Sequence, residues 1–181
     1  VAEQQYNYTV LRHVVNQGKG RALKTAFNEL LNREEPVFGC VTADSDGQHT
    51  PLDICRCMDM LKQHPQALVM GCREFTSNQV SFKSKLGNEL TRTICSFLCG
   101  IQVSNTQTGL RGVPREFMKE LLNVPGERFE LETNMLIACK NRIEIQEVPI
   151  QTVYDSKVDH KTHFDPVRDS IRIYKILAGC F

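Results

Sequence analysis

Two acids spaced two residues apart, Asp44 and Asp46, follow an apolar run from Val37 to Ala43 and precede Gly47-Gln48-His49-Thr50-Pro51. At the end of an extended segment side chains alternate faces, so this spacing points both carboxylates the same way. Such a pair can share one hard divalent cation. An all-oxygen site of this kind suits magnesium or manganese, whose remaining positions then hold the phosphates of a substrate. The ordinary alternative is turn chemistry, in which Asp beside Gly closes a loop. A calcium-binding EF-hand is excluded, because His49 stands where that loop requires glycine and Cys55 where it requires its final bidentate Glu.

Asn16-Gln17-Gly18-Lys19-Gly20 lies between an apolar strand, Tyr8–Val15, and a helix, where backbone amides at a helix start can receive an anion. It is not a P-loop, since His13 replaces the first glycine and Gly20 follows the lysine. It is also an incomplete dinucleotide fingerprint, with Leu23 in place of the last glycine. A glycine-assisted helix start explains the same residues. Arg73, Arg92 and Arg111 each fall near a predicted element end, where guanidinium forks suit diphosphate or lipid phosphate, although a solvated surface arginine is the common case. Glu130 and Glu132 open a helix, where negative charge is favourable without any catalytic role. His49 is open to reading as a base, an outer-shell ligand or a plain turn residue.

The elements that must position these residues alternate between strand and helix along the chain. An apolar stretch at Tyr8–Val15 leads to a helix from Gly20 to Leu31, with Leu23, Ala26, Phe27, Leu30 and Leu31 at three-four spacing. Val37–Ala43 reads as a buried strand. Thr50-Pro51-Leu52-Asp53 opens a helix to Gln63, with a hydroxyl at the N-cap, proline at the first position and an acid in the first turn. A strand at Ala67–Met70 and a helix at 82–98 follow. Gly109–Val113 is extended, Pro114–Leu122 and Arg128–Lys140 are helical, and Ile143–Ile150 is a strand. The last segment, within 165–181, is an amphipathic helix with Arg168, Arg172 and Lys175 on one side. This alternation predicts an α/β fold with a mostly parallel sheet, in which ligands bind at the carboxyl ends of the strands.

With 181 residues the chain suits one domain, and a net charge of +1 offers no electrostatic case for nucleic acid. The eight cysteines lack paired CxxC spacing, which argues against zinc and for a reduced setting. No segment approaches the roughly 20 apolar residues of a membrane helix. Both ends read as cuts through a longer protein, which leaves the parent's relation to a membrane open.

In order and spacing, NQGKGRAL, TADSDGQHTP, GCREF, SKLGNELTR, TQTGLRG, GERFELETNMLIACKN and EVPIQTVY together resemble the inverting glycosyltransferases of family 2. The likeness is greatest to the branch of dolichyl-phosphate mannosyltransferase and bacterial polyprenyl-phosphate sugar transferases. The closing HFDPVRDSIRIYK is similar to members in which a GtrA-like membrane domain follows. The resemblance implies a GT-A fold, Rossmann-like, and transfer of a sugar from a nucleotide-diphosphate sugar to an acceptor, here a polyprenyl phosphate. It implies that Asp44, Asp46 and Gln48 hold Mg2+ or Mn2+ and the diphosphate in a DxD-type motif, with Lys19 and Arg73 near the nucleotide or phosphates. Ser84 matches a serine near the acceptor phosphate, and Arg111 lies in the segment lining the acceptor side. A cytoplasmic place at the inner face of the cell membrane follows, beside a lipid surface or a membrane domain of the same parent.

Two departures from the family pattern stand out. Its opening strand and acidic base-and-ribose contacts should precede Tyr8, so residues 1–181 read as a partial catalytic domain. Asn105 stands where relatives carry Asp, and an amide cannot accept a proton. A sugar hydroxyl needs a base as it attacks, whereas a lipid phosphate is already ionised at neutral pH. The alternative expectation is a nucleotide-sugar-binding module with weak or no transfer.

Overall fold

The computed structural model describes residues 8–73 and 108–151. The helices expected at 82–98 and within 165–181 lie outside the described residues, as do Ser84 and Asn105.

The helices form where the three-four apolar spacing falls. Among the described residues they are α1 (Lys19–Leu31), α2 (Pro51–Gln63), α3 (Arg115–Leu121) and α4 (Glu130–Cys139). Four strands accompany them: β1 (Gly39–Thr42), β2 (Leu68–Arg73), β3 (Arg111–Pro114) and β4 (Ile145–Ile150). The spatial order is β1-β3-β2-β4. β3 pairs antiparallel with both β1 and β2, while β2 and β4 are parallel. The sheet is therefore mixed, not mostly parallel by pairing. β1, β2 and β4 do run one way, and the alternation of strand and helix that predicted this cannot reveal that β3 is inserted in reverse between β1 and β2. The reversal brings Arg111, at the start of β3, level with Thr42 at the end of β1 and Met70 in the middle of β2.

Period-two alternation divides the core. Leu68, Met70 and Cys72 of β2 face Phe27, Phe117, Met118, Leu121, Met135 and Leu136, so α1, α3 and α4 cover one side of the sheet. Val69 packs with Cys57 and Leu61 of α2 on the other, together with Leu110, Val148 and Ile150. The apolar stretch Tyr8–Val15 is a departure from expectation. It forms no strand, and Val14 is fully exposed. None of the four described strands pairs with it.

The start of α2 matches its sequence signature residue for residue. The Thr50 hydroxyl oxygen accepts from the Asp53 amide at 3.1 Å, and Pro51 takes the first helical position. Asp53 is 0% exposed. Its carboxylate accepts from the Thr50 hydroxyl at 2.7 Å, from Arg56 at 3.3 Å and from the Gln151 amide at 3.2 Å, which binds the helix start to the end of β4. Asp53→Ala is expected to cost about 2–3 kcal/mol, from the lost hydrogen bonds of a buried charge. Urea unfolding would measure it, and a loss below about 1 kcal/mol would contradict this role.

Burial also grades the thiols. It pushes Cys40 and Cys139 up to about 12, and burial with the Asp53 charge takes Cys57 to about 11, whereas Cys55 is exposed. Thiolate is the reactive form. Peptide mapping after iodoacetamide at pH 8 is expected to show Cys55 labelled in the native protein, and Cys40, Cys57 and Cys139 labelled only after denaturation.

Candidate functional site

The site is built at the rim formed by the carboxyl ends of β1, β2 and β4. Thr42 ends β1, and its hydroxyl donates to the Gly109 carbonyl at 3.0 Å. The acids lie beyond the strand, so the alternation of an extended segment does not orient them. A turn does: Asp46 accepts from the Gln48 amide through Oδ1 at 3.0 Å, and Gly47 takes φ 78°. Both candidate readings of these acids meet here, since Asp46 closes the turn while Asp44 faces the rim.

Asp44 sits against the backbone of Gly109. A Cβ at residue 109 would overlap its carboxylate, so only glycine leaves room for that carboxylate as placed. Lys19 Nζ lies 2.7 Å from Asp44 Oδ1 and 2.9 Å from Glu132 Oε1, with the Phe129 ring centroid at 5.9 Å. His49 Nε2 is 4.0 Å from Asp44 Oδ2. Gly109, Lys19 and His49 thus converge on one carboxylate. Burial disfavours the charged Lys19, yet Glu132 and Asp44 outweigh it and hold its pKa above the ordinary 10.5. The stabilisation from this lysine is therefore complete through neutral pH and is lost only as pH rises through that elevated value.

Glycines set the approach of α1. Gly18 adopts φ 96°, and a Cβ on Gly18 or Gly20 would strike the backbone of Glu127 and its neighbours. The Arg21 amide donates to the Glu127 carbonyl at 2.9 Å. One first-turn amide of α1, that of Arg21, is thus taken by a loop carbonyl, which fits the glycine-assisted helix start. The Lys19 side chain reaches the rim.

Arg111 is 1% exposed. Its Nε donates to the Thr108 carbonyl at 3.0 Å, and its Nη1 to the Glu132 carbonyl at 2.8 Å. Burial pushes its pKa down, against the pull of Glu132 and other neighbours. The guanidinium lies inside the protein and fixes the first turn of α4 against β3. Arg73 is the last residue of β2, paired in register with Ile150. Glu130 fits the helix-start reading, accepting from the amides of Glu127 at 3.2 Å and Arg128 at 3.3 Å. Glu132 does not. Its place beside Lys19 went unrecognised in the sequence, where the two Glu residues look equivalent; the three-four period from the inward Leu136 and Met135 is the signal that separates them.

Among the described residues no three His, Cys, Asp or Glu side chains cluster as a metal site. Asp44, about one third exposed, and the exposed Asp46 offer hard oxygen donors at an open rim. That set suits a magnesium- or manganese-sized ion completing its shell from water and substrate phosphate, and does not suit a closed structural site.

Residues 1–122 match the family model described as Glycosyl transferase family 2. The UDP-N-acetylglucosamine--dolichyl-phosphate N-acetylglucosaminyltransferase of Methanococcus voltae is 32% identical over 151 residues, covering 80% of this chain and 59% of that protein. An uncharacterized protein of Methanocaldococcus jannaschii is 29% identical over 150 residues, covering 80% and 61%. The chain therefore spans about three fifths of these relatives' length. Glucosyl-3-phosphoglycerate synthase from Mycobacterium tuberculosis, solved with Mn2+, uridine diphosphate and phosphoglyceric acid, superimposes with a TM-score of 0.60 at 18% identity, over 98% of this chain and 56% of that one. That likeness is one of fold, and it agrees with the GT-A class of α/β architecture.

Proposed function

Because this chain belongs to glycosyl transferase family 2, we propose that it forms the catalytic domain of a metal-dependent inverting glycosyltransferase acting on a polyprenyl phosphate. The observation that carries the reading is Asp44 seated on Gly109 at the rim with the Lys19 ammonium 2.7 Å away. An acid for a dication and a cation for phosphate stand side by side.

In this reading Asp44, Asp46 and Gln48 hold Mg2+ or Mn2+ and the donor diphosphate, while Lys19 and Arg73 contact the nucleotide or its phosphates. The ion, when bound, offsets the charge of the departing nucleotide diphosphate. Ser84 sits near the acceptor phosphate, and Arg111 positions the rim from within. Asn105 occupies the place of a base that an ionised lipid phosphate does not need. Transfer by in-line attack inverts the anomeric centre. The named activity of the Methanococcus voltae relative supports a lipid-phosphate acceptor, and the manganese and uridine diphosphate in the Mycobacterium tuberculosis structure support the donor class. Among the described residues no helix is long and apolar enough to cross a membrane. The lipid-phosphate acceptor in the name of the Methanococcus voltae relative supports work at the inner face of the cell membrane, through residues 165–181 or a membrane domain of the same parent.

Thermal shift with UDP, GDP and TDP sugars, with and without Mn2+, tests donor binding, since only a ligand of the native state raises Tm. Transfer of labelled sugar to a polyprenyl phosphate tests the rest. No metal-dependent shift with any donor would overturn the proposal. Asn105→Asp is expected to change turnover less than about threefold, and a large rise would defeat the base-free mechanism. A second reading, a binding module without transfer, rests on Asn105 in place of the usual Asp. Metal-dependent donor binding without any product would select it.

A further inference from the structure

The Lys19 ammonium on Asp44 Oδ1 competes with a dication for the same carboxylate, because the two like charges repel at one small site. A lysine with Asp44 as its single partner would then oppose metal binding. Lys19 has a second partner. Glu132 Oε1 is 2.9 Å away on the opposite helix, its side chain is 12% exposed, and the Phe129 ring lies under the same ammonium. Glu132 is itself held, since the Arg111 guanidinium grips its backbone carbonyl at 2.8 Å from inside the protein. Asp44 is the more exposed of the two acids, at 34%. The ammonium therefore bridges one acid open to ions and one acid fixed in the wall.

We propose that Glu132 is a positioning residue that retains Lys19 when a divalent cation claims Asp44, so that the lysine yields the carboxylate without leaving the rim. This rests on the assignment of Asp44 to the metal. Glu132 acts through Lys19 and touches neither metal nor donor. Its effect on metal affinity must therefore vanish when Lys19 is absent, which a purely structural glutamate or a direct ligand would not show.

The test is a double-mutant cycle on Mn2+ binding to the full chain, read from the EPR signal of unbound Mn2+ without any donor. Lys19→Met is expected to tighten binding about fivefold and Glu132→Gln to loosen it about fivefold, the scale of one partly buried ion pair. Lys19→Met/Glu132→Gln should bind within twofold of Lys19→Met alone. Glu132→Asp, which keeps the carboxylate, should recover part of the lost affinity. Circular dichroism melts confirm that each variant is folded at the titration temperature. Equal loosening by Glu132→Gln in both backgrounds would overturn the inference, as would an unchanged affinity in Lys19→Met. Mn2+ binding that survives Asp44→Asn would refute the metal assignment itself, whereas Asp44-dependent binding indifferent to Lys19 would refute the inference alone.

Discussion

Gly109→Ala is expected to lower metal-dependent transfer by a hundred- to a thousandfold, about as much as Asp44→Asn, while leaving Tm nearly unchanged. The added Cβ would occupy the space of the Asp44 carboxylate, which must swing away from the rim. Gly109 is not among the glycines with positive φ, so alanine brings no backbone strain. Asp44 is partly exposed and can move outward without a fold-wide cost. Initial rates with Mn2+ and a thermal melt on the same preparation check both halves. Activity within threefold of the parent would show that the seat of Asp44 on Gly109 does not matter.

Arg111→Met should be the most destabilising single change at the rim, at about 3–5 kcal/mol. Methionine fills much of the same volume but donates no hydrogen bond. The Thr108 and Glu132 carbonyls lose their guanidinium partner, and the cation that faces Glu132 disappears. Arg111→Lys should recover little, because one ammonium cannot span both carbonyls in the geometry of a planar fork. Urea denaturation with a constant m-value would establish the loss. A cost under about 1 kcal/mol would mean that the rim is held by something other than this side chain.

Local chemistry was legible in the residues; long-range pairing was not. Thr50, Pro51 and Asp53 announced α2 because capping involves neighbours within one turn. The apolar spacing from Leu23 to Leu31 announced α1 for the same reason. Asp44 and Asp46 were found by residue type, yet the reason given for their orientation failed, since a turn closed by Asp46 and Gly47 follows the strand. Tyr8–Val15 has the composition of a strand, yet none of the described strands pairs with it. The reversed β3 was hidden because antiparallel insertion depends on contacts between distant segments. Glu132 was hidden likewise. Nothing near it in the chain indicates that Lys19, at the start of another helix, lies 2.9 Å away.

The acids ride on a short span fastened at both ends. Thr42 is hooked to the Gly109 carbonyl on one side, and Thr50 is locked through Asp53 to the amide after β4 on the other. Restricting a flexible loop costs entropy, and here that cost falls on folding instead of on ligand capture. Loosening either fastening should thus show itself first as a weaker grip on metal and donor, with the chemistry of transfer itself intact.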